Sequence, residues 1–585
     1  MVYKMMNISC HRKVVYQWIL AAVLGLGLCV GILCVPAGDA SLLVRLCGYG
    51  VLAITFVLWL YSVVQVLREA LLSPRGVRLR DTVHFIAAIG VGAYVILSHA
   101  HFDYKIVGDE YVISATAKHM HETREVAYST LVVHDGSRVQ SLHSAVDKRP
   151  WLYPFLVACM HDLFGFSAPN AFVLNVICLL LFLAAIYCFG YFLFRIVGGW
   201  LAVLLWASLP LLAQNATGAG MELVNLLGIQ LLILVAVLYL RSPSRWGQSC
   251  LWLSCALLAC ARYESILFLA PVAFVVAFGW YRQRTVDFTW SVLWALPLFA
   301  LVFLQNKIYS VTESSWELAK GATQPFSISN AIGNAPHALY FFFAHDPAIA
   351  NSLLISILGG GAIISLVVMA GRWIRSKAWQ QPECIVLLAF GSFLIIHFVV
   401  ILAFHASQLD RPFVARYALP FHILLVAAII SAIRLVTRER PGVARFVCCL
   451  TIGFIVTFTF PANAREVFST RSFIVREKNW LFATYSGMAT DRNLIVDFYS
   501  QKWTLYEQPA ITPGQALEVL QNDTSVFDFK KFSSVYLVVR CRFSGGDYQP
   551  TQRETMQLLE RLDVELLAER SFRPLELTRF YRIVD

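Results

Sequence analysis

Val14–Val35 reads VVYQWILAAVLGLGLCVGILCV, without a single Asp, Glu, Lys or Arg. A helix needs about 20 mostly apolar residues to cross the hydrocarbon layer of a bilayer. It can do so because its backbone N–H and C=O groups are satisfied within the segment. The run exceeds the roughly 7–15 residues of a signal-peptide apolar core, and no small-residue cleavage site clearly follows it, so it reads as a retained signal anchor.

Similar runs recur down the chain, and they account for the composition. Hydrophobic residues make up 58% and charged residues 14% of 585 residues, against roughly 45–50% and about 25% in soluble domains. Run length gives about thirteen spans: 14–35, 43–66, 82–99, 170–194, 200–214, 221–240, 247–261, 264–281, 288–307, 351–371, 384–404, 415–435 and 443–461. The net charge of +11 would suggest nucleic acid in a soluble protein. Here the basic residues cluster at span ends, which points to membrane sidedness and to no nucleic-acid partner.

Cytoplasmic loops carry an excess of Lys and Arg. With Lys4, Arg12 and Lys13 inside, the inner turns carry Arg68, Arg75, Arg78 and Arg80, then Arg195, Arg241, Arg245, Arg282 and Arg284. Further on they carry Arg372, Arg375, Lys377, Arg434, Arg438, Arg440 and Arg445. The N-terminus is then cytoplasmic, and three segments lie outside: loops 100–169 and 308–350, and the tail from 462. In the tail, NLIVDFYS and SSVYLVVRCRF read as strands and TQRETMQLLERL as an amphipathic helix. The expected fold class is an all-α polytopic membrane protein with a small C-terminal extracytoplasmic α/β domain. Its divisions are N-terminal helices 1–75, a membrane region 76–461 and a soluble domain 462–585. Most of the 14 cysteines lie in apolar runs as small hydrophobes. The tail has only Cys541, so it holds no internal disulfide.

The ionisable residues at the outer level carry the chemistry. Asp109 and Glu110 follow Gly108 where a helix begins; acids there complement the helix dipole, or one of them acts as a base. The same loop ends in DKRPWLYPFLVACMHDLFGF, with Lys148 and Arg149 ahead of Pro150, Trp151, Tyr153 and Pro154. That stretch is too short for a span and suits a helix in the interface, where Trp151 and Tyr153 could equally be lipid anchors. Glu222 lies at an outside turn, Arg262, Tyr263 and Glu264 at another, and Arg416 at the outer start of a late span. Charges at this depth are costly and mark function, snorkelling or mutual pairing. His99, His101, His119, His121 and His143 crowd the first outer loop, and His345 adjoins Asp346. None has zinc-site spacing, and a divalent metal stays open.

The order of these motifs resembles the GT-C superfamily of membrane glycosyltransferases. The branch concerned holds the protein O-mannosyltransferases and the transferase that adds aminoarabinose to lipid A. Asp109–Glu110 matches that branch's Asp-Glu pair and KRPWLYP its proline-rich juxtamembrane segment. Glu222 matches a further outer acid, ARYES the Thr-Arg-Tyr-Glu-Gly stretch, and ARYALP the late Arg-Tyr/Phe-x-x-Pro stretch. The likeness covers about 82–461, with two spans ahead of the family core and no tail motif matched.

The resemblance implies a sugar donor carried on a polyprenyl phosphate, an acceptor lipid, glycan or protein, and inverting single displacement in the inner membrane of a bacterium. The physical reading fits such a donor: a phosphate ester leaves well and needs positive charge more than a proton, which Lys148, Arg149, Arg262 and Arg416 are expected to supply. The acceptor hydroxyl needs a base, for which Asp109 is the choice with Glu110 second, Glu222 is a further catalytic acid, and Tyr153, Tyr263 and Glu264 are expected to bind substrate. The rivals are a transporter, which would bind near the midplane, a non-catalytic assembly protein, and a polymerase or ligase using a diphosphate-linked donor.

Overall fold

The computed structural model describes residues 2–71, 79–106, 108–135, 138–311, 324–346, 348–375, 381–437, 442–465, 473–490, 492–521 and 532–584. Arg75, Arg78, Lys377, Arg438, Arg440 and positions 312–323 of the second outer loop lie outside the described residues.

Among the described residues, ten helices are long and apolar enough to cross a membrane: Val14–Cys34, Ala37–Ala70, Leu79–Leu97, Asn170–Ala207, Glu222–Arg241, Tyr263–Gln283, Ser291–Tyr309, Pro382–Ala403, Ala415–Thr437 and Gly442–Arg465. The chain is an integral, multi-pass membrane protein. The count differs from the expected thirteen at three places, two of them with a physical reason. Asn170–Ala207 is continuous helix only in name: Phe194 (φ −146°, ψ 38°) and Arg195 (φ 53°, ψ −149°) break it. The legs fold back on each other, so Phe182 meets Trp206 edge-on with centroids 4.8 Å apart. Gly190 and Gly198 allow this, because a Cβ on Gly190 would lie 2.3 Å from the Gly198 carbonyl oxygen. Arg245–Ala259 has 15 residues, so at 1.5 Å each it reaches about 22 Å, short of about 30 Å. Helix Leu353–Arg375 answers to the expected span 351–371, and the side chains of 369–375 lie outside the described residues.

The helix ends are tied together by polar contacts. At one end Arg241 Nε donates to Glu383 at 2.7 Å, Arg245 pairs with Asp287 at 3.0 Å, and Arg282 donates to the Leu240 carbonyl at 3.2 Å. At the other end the Leu152 N–H donates to the Cys260 carbonyl at 2.9 Å, and Asp103 N–H to that of Thr217 at 3.2 Å.

The first two helices dock on the rest of the bundle. Trp59 Nε1 donates to Ser254 Oγ at 2.8 Å, and Arg45 pairs with Glu125 at 2.5 Å. The juxtamembrane helix Leu152–Phe164 forms as expected but lies largely inside the protein. Trp151 and Tyr153 are buried in the core and are not lipid anchors; Leu163 and Phe164, at the far end of the helix, are the exposed apolar residues.

The soluble part is one mixed sheet drawn from two distant stretches. Its strands are β1 (Tyr128–Asp135), β2 (Arg138–Ala145), β3 (Asn493–Val496), β4 (Ala510–Ile511), β5 (Ser534–Ser544), β6 (Asp547–Pro550), β7 (Val564–Arg573) and β8 (Glu576–Ile583). The order is β2-β1-β4-β3-β5-β8-β7, with β6 on β5. The hairpin β1–β2 belongs to the first outer loop, and it joins the tail through Val132 opposite Ala510. The tail therefore shares its sheet with the loop that bears Asp109.

Candidate active site

Helix Asp109–Thr123 starts at Gly108, whose φ is +58°. That left-handed backbone suits glycine, and it turns Asp109 and Glu110 into the first helical turn. The two carboxylates then part company.

Glu110 faces inward. Its Oε2 accepts the backbone N–H groups of Lys105 and of Ile106 (3.2 Å), and its Oε1 that of Ala219 at 3.0 Å. It pins the 103–106 loop to the turn before Glu222. Burial pushes its pKa up to about 7, against the pull of those N–H groups, with the nearby Glu222 adding to the rise.

Asp109 faces outward and is 29% exposed. Arg149 donates to its Oδ1 from Nε at 3.0 Å and Nη2 at 2.6 Å, and Arg416 donates to its Oδ2 at 2.7 Å. Burial alone would raise the pKa of Asp109. Arg149 and then Arg416 outweigh it and hold the carboxyl well below its usual range. From there an unbroken ladder of alternating charge crosses one end of the bundle. Arg149 also holds Asp147 at 2.9 Å, and Arg416 reaches Glu222 at 2.8 Å. Arg262 reaches Glu222 at 3.2 Å and Glu264 at 2.5 Å, and His397 lies 3.8 Å from Glu264. Both guanidinium groups approach the Tyr417 ring, at 4.7 Å for Arg262 and 5.4 Å for Arg416.

Six residues singled out in the sequence thus meet in one network: Asp109, Arg149, Glu222, Arg262, Glu264 and Arg416. The other four are described by other contacts. Besides Glu110, Tyr153 is buried with its hydroxyl on the Ala171 carbonyl at 2.9 Å. Tyr263 donates to the Lys148 carbonyl, and so fixes the backbone ahead of Arg149. The Lys148 side chain is half-buried. Sequence reasoning passed over Asp147, although it opens the quoted DKRPWLYP stretch. It also passed over Gln305, which donates to the carbonyls of Asp147 at 2.7 Å and Arg149 at 2.9 Å. A lone amide near the outer end of an apolar span was the available signal.

The network is incomplete. Glu222 Oε2 and Arg416 Nε are buried without a hydrogen-bond partner. A cavity of about 10 Å³ lies among Glu222, Asn225, Arg262, Glu264, Arg416 and Tyr417, room for about one water. A larger ligand must therefore meet the ladder at its open face, Asp109 and Arg149. Among the described residues no group of three or more His, Cys, Asp or Glu side chains is placed to hold a metal ion. His121 is paired with Asp162 at 2.6 Å, and His119 with Ser129 at 3.2 Å.

No protein-family model and no curated protein matches the chain. Among solved structures, ArnT from Cupriavidus metallidurans bound to undecaprenyl phosphate matches at a TM-score of 0.50 and 15% identity, over 86% of this chain and 98% of that one. The same protein in the apo state matches at 0.50 and 13% identity, over 86% and 97%. At that identity the likeness is one of fold. The chain has the GT-C fold that its motif order led us to expect.

Proposed function

We propose that this protein is a glycosyltransferase that moves a sugar from a polyprenyl phosphate to an acceptor hydroxyl on a lipid, glycan or protein at the outer membrane face. The observation that carries the proposal is the ladder itself. Three arginines from sequence-distant segments converge on carboxylates at the outer ends of the spans. A polyprenyl phosphate presents its phosphate at that level, with the lipid chain in the bilayer. The ArnT structure that shares this fold over 86% of the chain holds undecaprenyl phosphate.

In the proposed reaction the acceptor oxygen attacks the anomeric carbon from the side opposite the phosphate. The carbon–oxygen bond to phosphate breaks, and its electron pair leaves on the phosphate oxygen. Arg149 and Arg416, with Arg262 behind them, stabilise that charge. The acceptor proton passes to Asp109, and configuration inverts. An Asp109 held acidic by two guanidinium groups is a poor base. When the donor phosphate draws on those groups, their hold on Asp109 weakens and its proton affinity rises. Donor binding thereby prepares the base, and an inverting displacement needs no second carboxylate as nucleophile. The N-terminus is cytoplasmic in this reading. The site and soluble domain are extracytoplasmic, in a bacterial inner membrane.

Mass spectrometry of lipid copurified with the full-length protein tests the donor class. A polyprenyl phosphate or its glycosylated form is expected. Copurified bulk phospholipid alone, with no transfer from any polyprenyl-phosphate sugar, would overturn the proposal.

A further inference from the structure

The Asp109 carboxylate has a neighbour from the other end of the chain. The ring of Tyr499, in the tail, packs so closely on Gly108 that a Cβ there would lie 2.6 Å from Tyr499 Cε1. Gly108 therefore does two things: it takes the positive φ, and it admits the ring beside the first residue of the Asp109 helix.

Tyr499 is not a loosely draped loop residue. Its backbone N–H donates to Asp497 Oδ1 at 3.0 Å, and the Arg540 guanidinium lies 4.8 Å from its ring centroid. Arg540 is itself fixed by Asp497 at 2.9 Å and Glu477 at 2.8 Å. Asp497 also takes Lys502 at 2.7 Å and the Trp503 indole N–H at 2.8 Å. A buried charge cluster of this kind contributes little net stability relative to apolar packing. What it supplies here is a fixed position for the ring. The placement is reinforced nearby, where Lys118 of the Asp109 helix donates to the Thr504 carbonyl at 3.3 Å and Lys478 pairs with Asp103 at 2.7 Å. The Tyr499 hydroxyl has no hydrogen-bond partner among the described residues, and the side chain is only partly buried. A rigidly held aromatic with an unused hydroxyl, close to the start of the candidate base's helix, is placed to take part in binding there.

We infer that Tyr499, carried by the soluble domain, is an acceptor-binding residue of the transferase site, and that its hydroxyl hydrogen-bonds a hydroxyl-bearing acceptor head group brought to Asp109 from the aqueous side. The inference rests on the glycosyltransferase reading above. It divides that site by direction. The arginines receive the phosphate from the membrane side, and the soluble domain receives the acceptor from outside.

The test uses full-length protein in nanodiscs. It compares the parent with Tyr499→Phe, which removes one oxygen and keeps the ring packing. The donor-side probe is undecaprenyl phosphate, measured by direct binding. The acceptor side is read with labelled monosaccharides on undecaprenyl phosphate and increasing amounts of native envelope fraction. Loss of one neutral hydrogen bond should raise the acceptor amount needed for half-maximal rate about three- to tenfold, with undecaprenyl phosphate affinity and melting temperature unchanged. Parental half-saturation in Tyr499→Phe would overturn the assignment of Tyr499 alone. So would a fall in undecaprenyl phosphate affinity that tracks the acceptor effect. A parent that transfers no sugar at all would overturn both this inference and the reading it rests on.

Discussion

Asp109 and Asp497 are both held by pairs of basic side chains, and they sit at the two ends of one connected assembly. Asp497 is fully buried, and four donors occupy its two oxygens: the Tyr499 N–H, the Trp503 indole, Lys502 and Arg540. Asp109 is 29% exposed, and its side-chain donors are Arg149 and Arg416. Unpartnered buried polar atoms occur in both places, on Glu222 and Arg416 behind Asp109 and on Arg540 beside Asp497, so the difference lies in the exposure of the two carboxylates. The tail's aspartate is a finished joint. The interfacial one is an open arrangement of charge to which an anion and a hydroxyl can be added. A carboxylate shut off from solvent with both oxygens filled reads as architecture, and one left open to solvent reads as a binding site.

Substitution at the two aspartates should separate these roles. Asp109→Asn keeps the shape and removes basicity. General base catalysis contributes about 10²–10⁴-fold, so transfer should fall by that order while the protein remains folded and still binds undecaprenyl phosphate. Single-turnover transfer and lipid binding check this; an Asp109→Asn protein with parental rate would reduce Asp109 to a helix-start acid. Asp497→Asn leaves Lys502 and Arg540 undercompensated in a buried setting, which typically costs about 3–5 kcal/mol. Thermal unfolding of the full-length protein should show that loss; an unchanged unfolding transition would break the contrast with Asp109.

A smaller effect concerns Glu110. Its pKa is raised from an ordinary 4.5 to about 7, so between those values the folded chain keeps a proton that the unfolded chain has lost. Stability should therefore decline as pH rises from about 4.5 through 7, by about 1–3 kcal/mol. Glu110→Gln should flatten that part of the stability–pH curve whatever it does to stability overall. A slope that persists in Glu110→Gln would show that another group sets it.

Much of the site was legible because its residues are costly where they stand. Asp109, Arg149, Glu222, Arg262, Glu264 and Arg416 all lie at or beyond the ends of apolar runs, and charge near membrane depth demands a reason. Their pairing was not legible, since Asp109 and Arg416 are 307 positions apart. The membrane region was legible from run length, and even the break at Arg195 was marked by a charge between two apolar stretches. The hairpin that closes there depends on Gly190 meeting Gly198, which run length does not encode. The least legible feature was the soluble part. Its β1 and β4 touch through Val132 and Ala510, a contact that no local pattern announces. For the same reason Tyr499 carried no signal: its importance comes from Gly108, at the far side of that junction.

The central claim is that the open ladder is completed by a polyprenyl phosphate. The most direct measurement is the affinity of undecaprenyl phosphate for the parent and for Arg149→Ala, Arg416→Ala and Lys148→Ala, in nanodiscs of fixed lipid composition at two salt concentrations. Hydrogen bonds to charged groups contribute about 1.5–3 kcal/mol, so the two ladder arginines should each lose about ten- to a hundredfold in affinity. Lys148, whose backbone carbonyl is held by Tyr263, should lose less. Equal affinities in all four proteins, or small equal losses that salt removes, would contradict the account and leave the arginines as structural partners of their carboxylates.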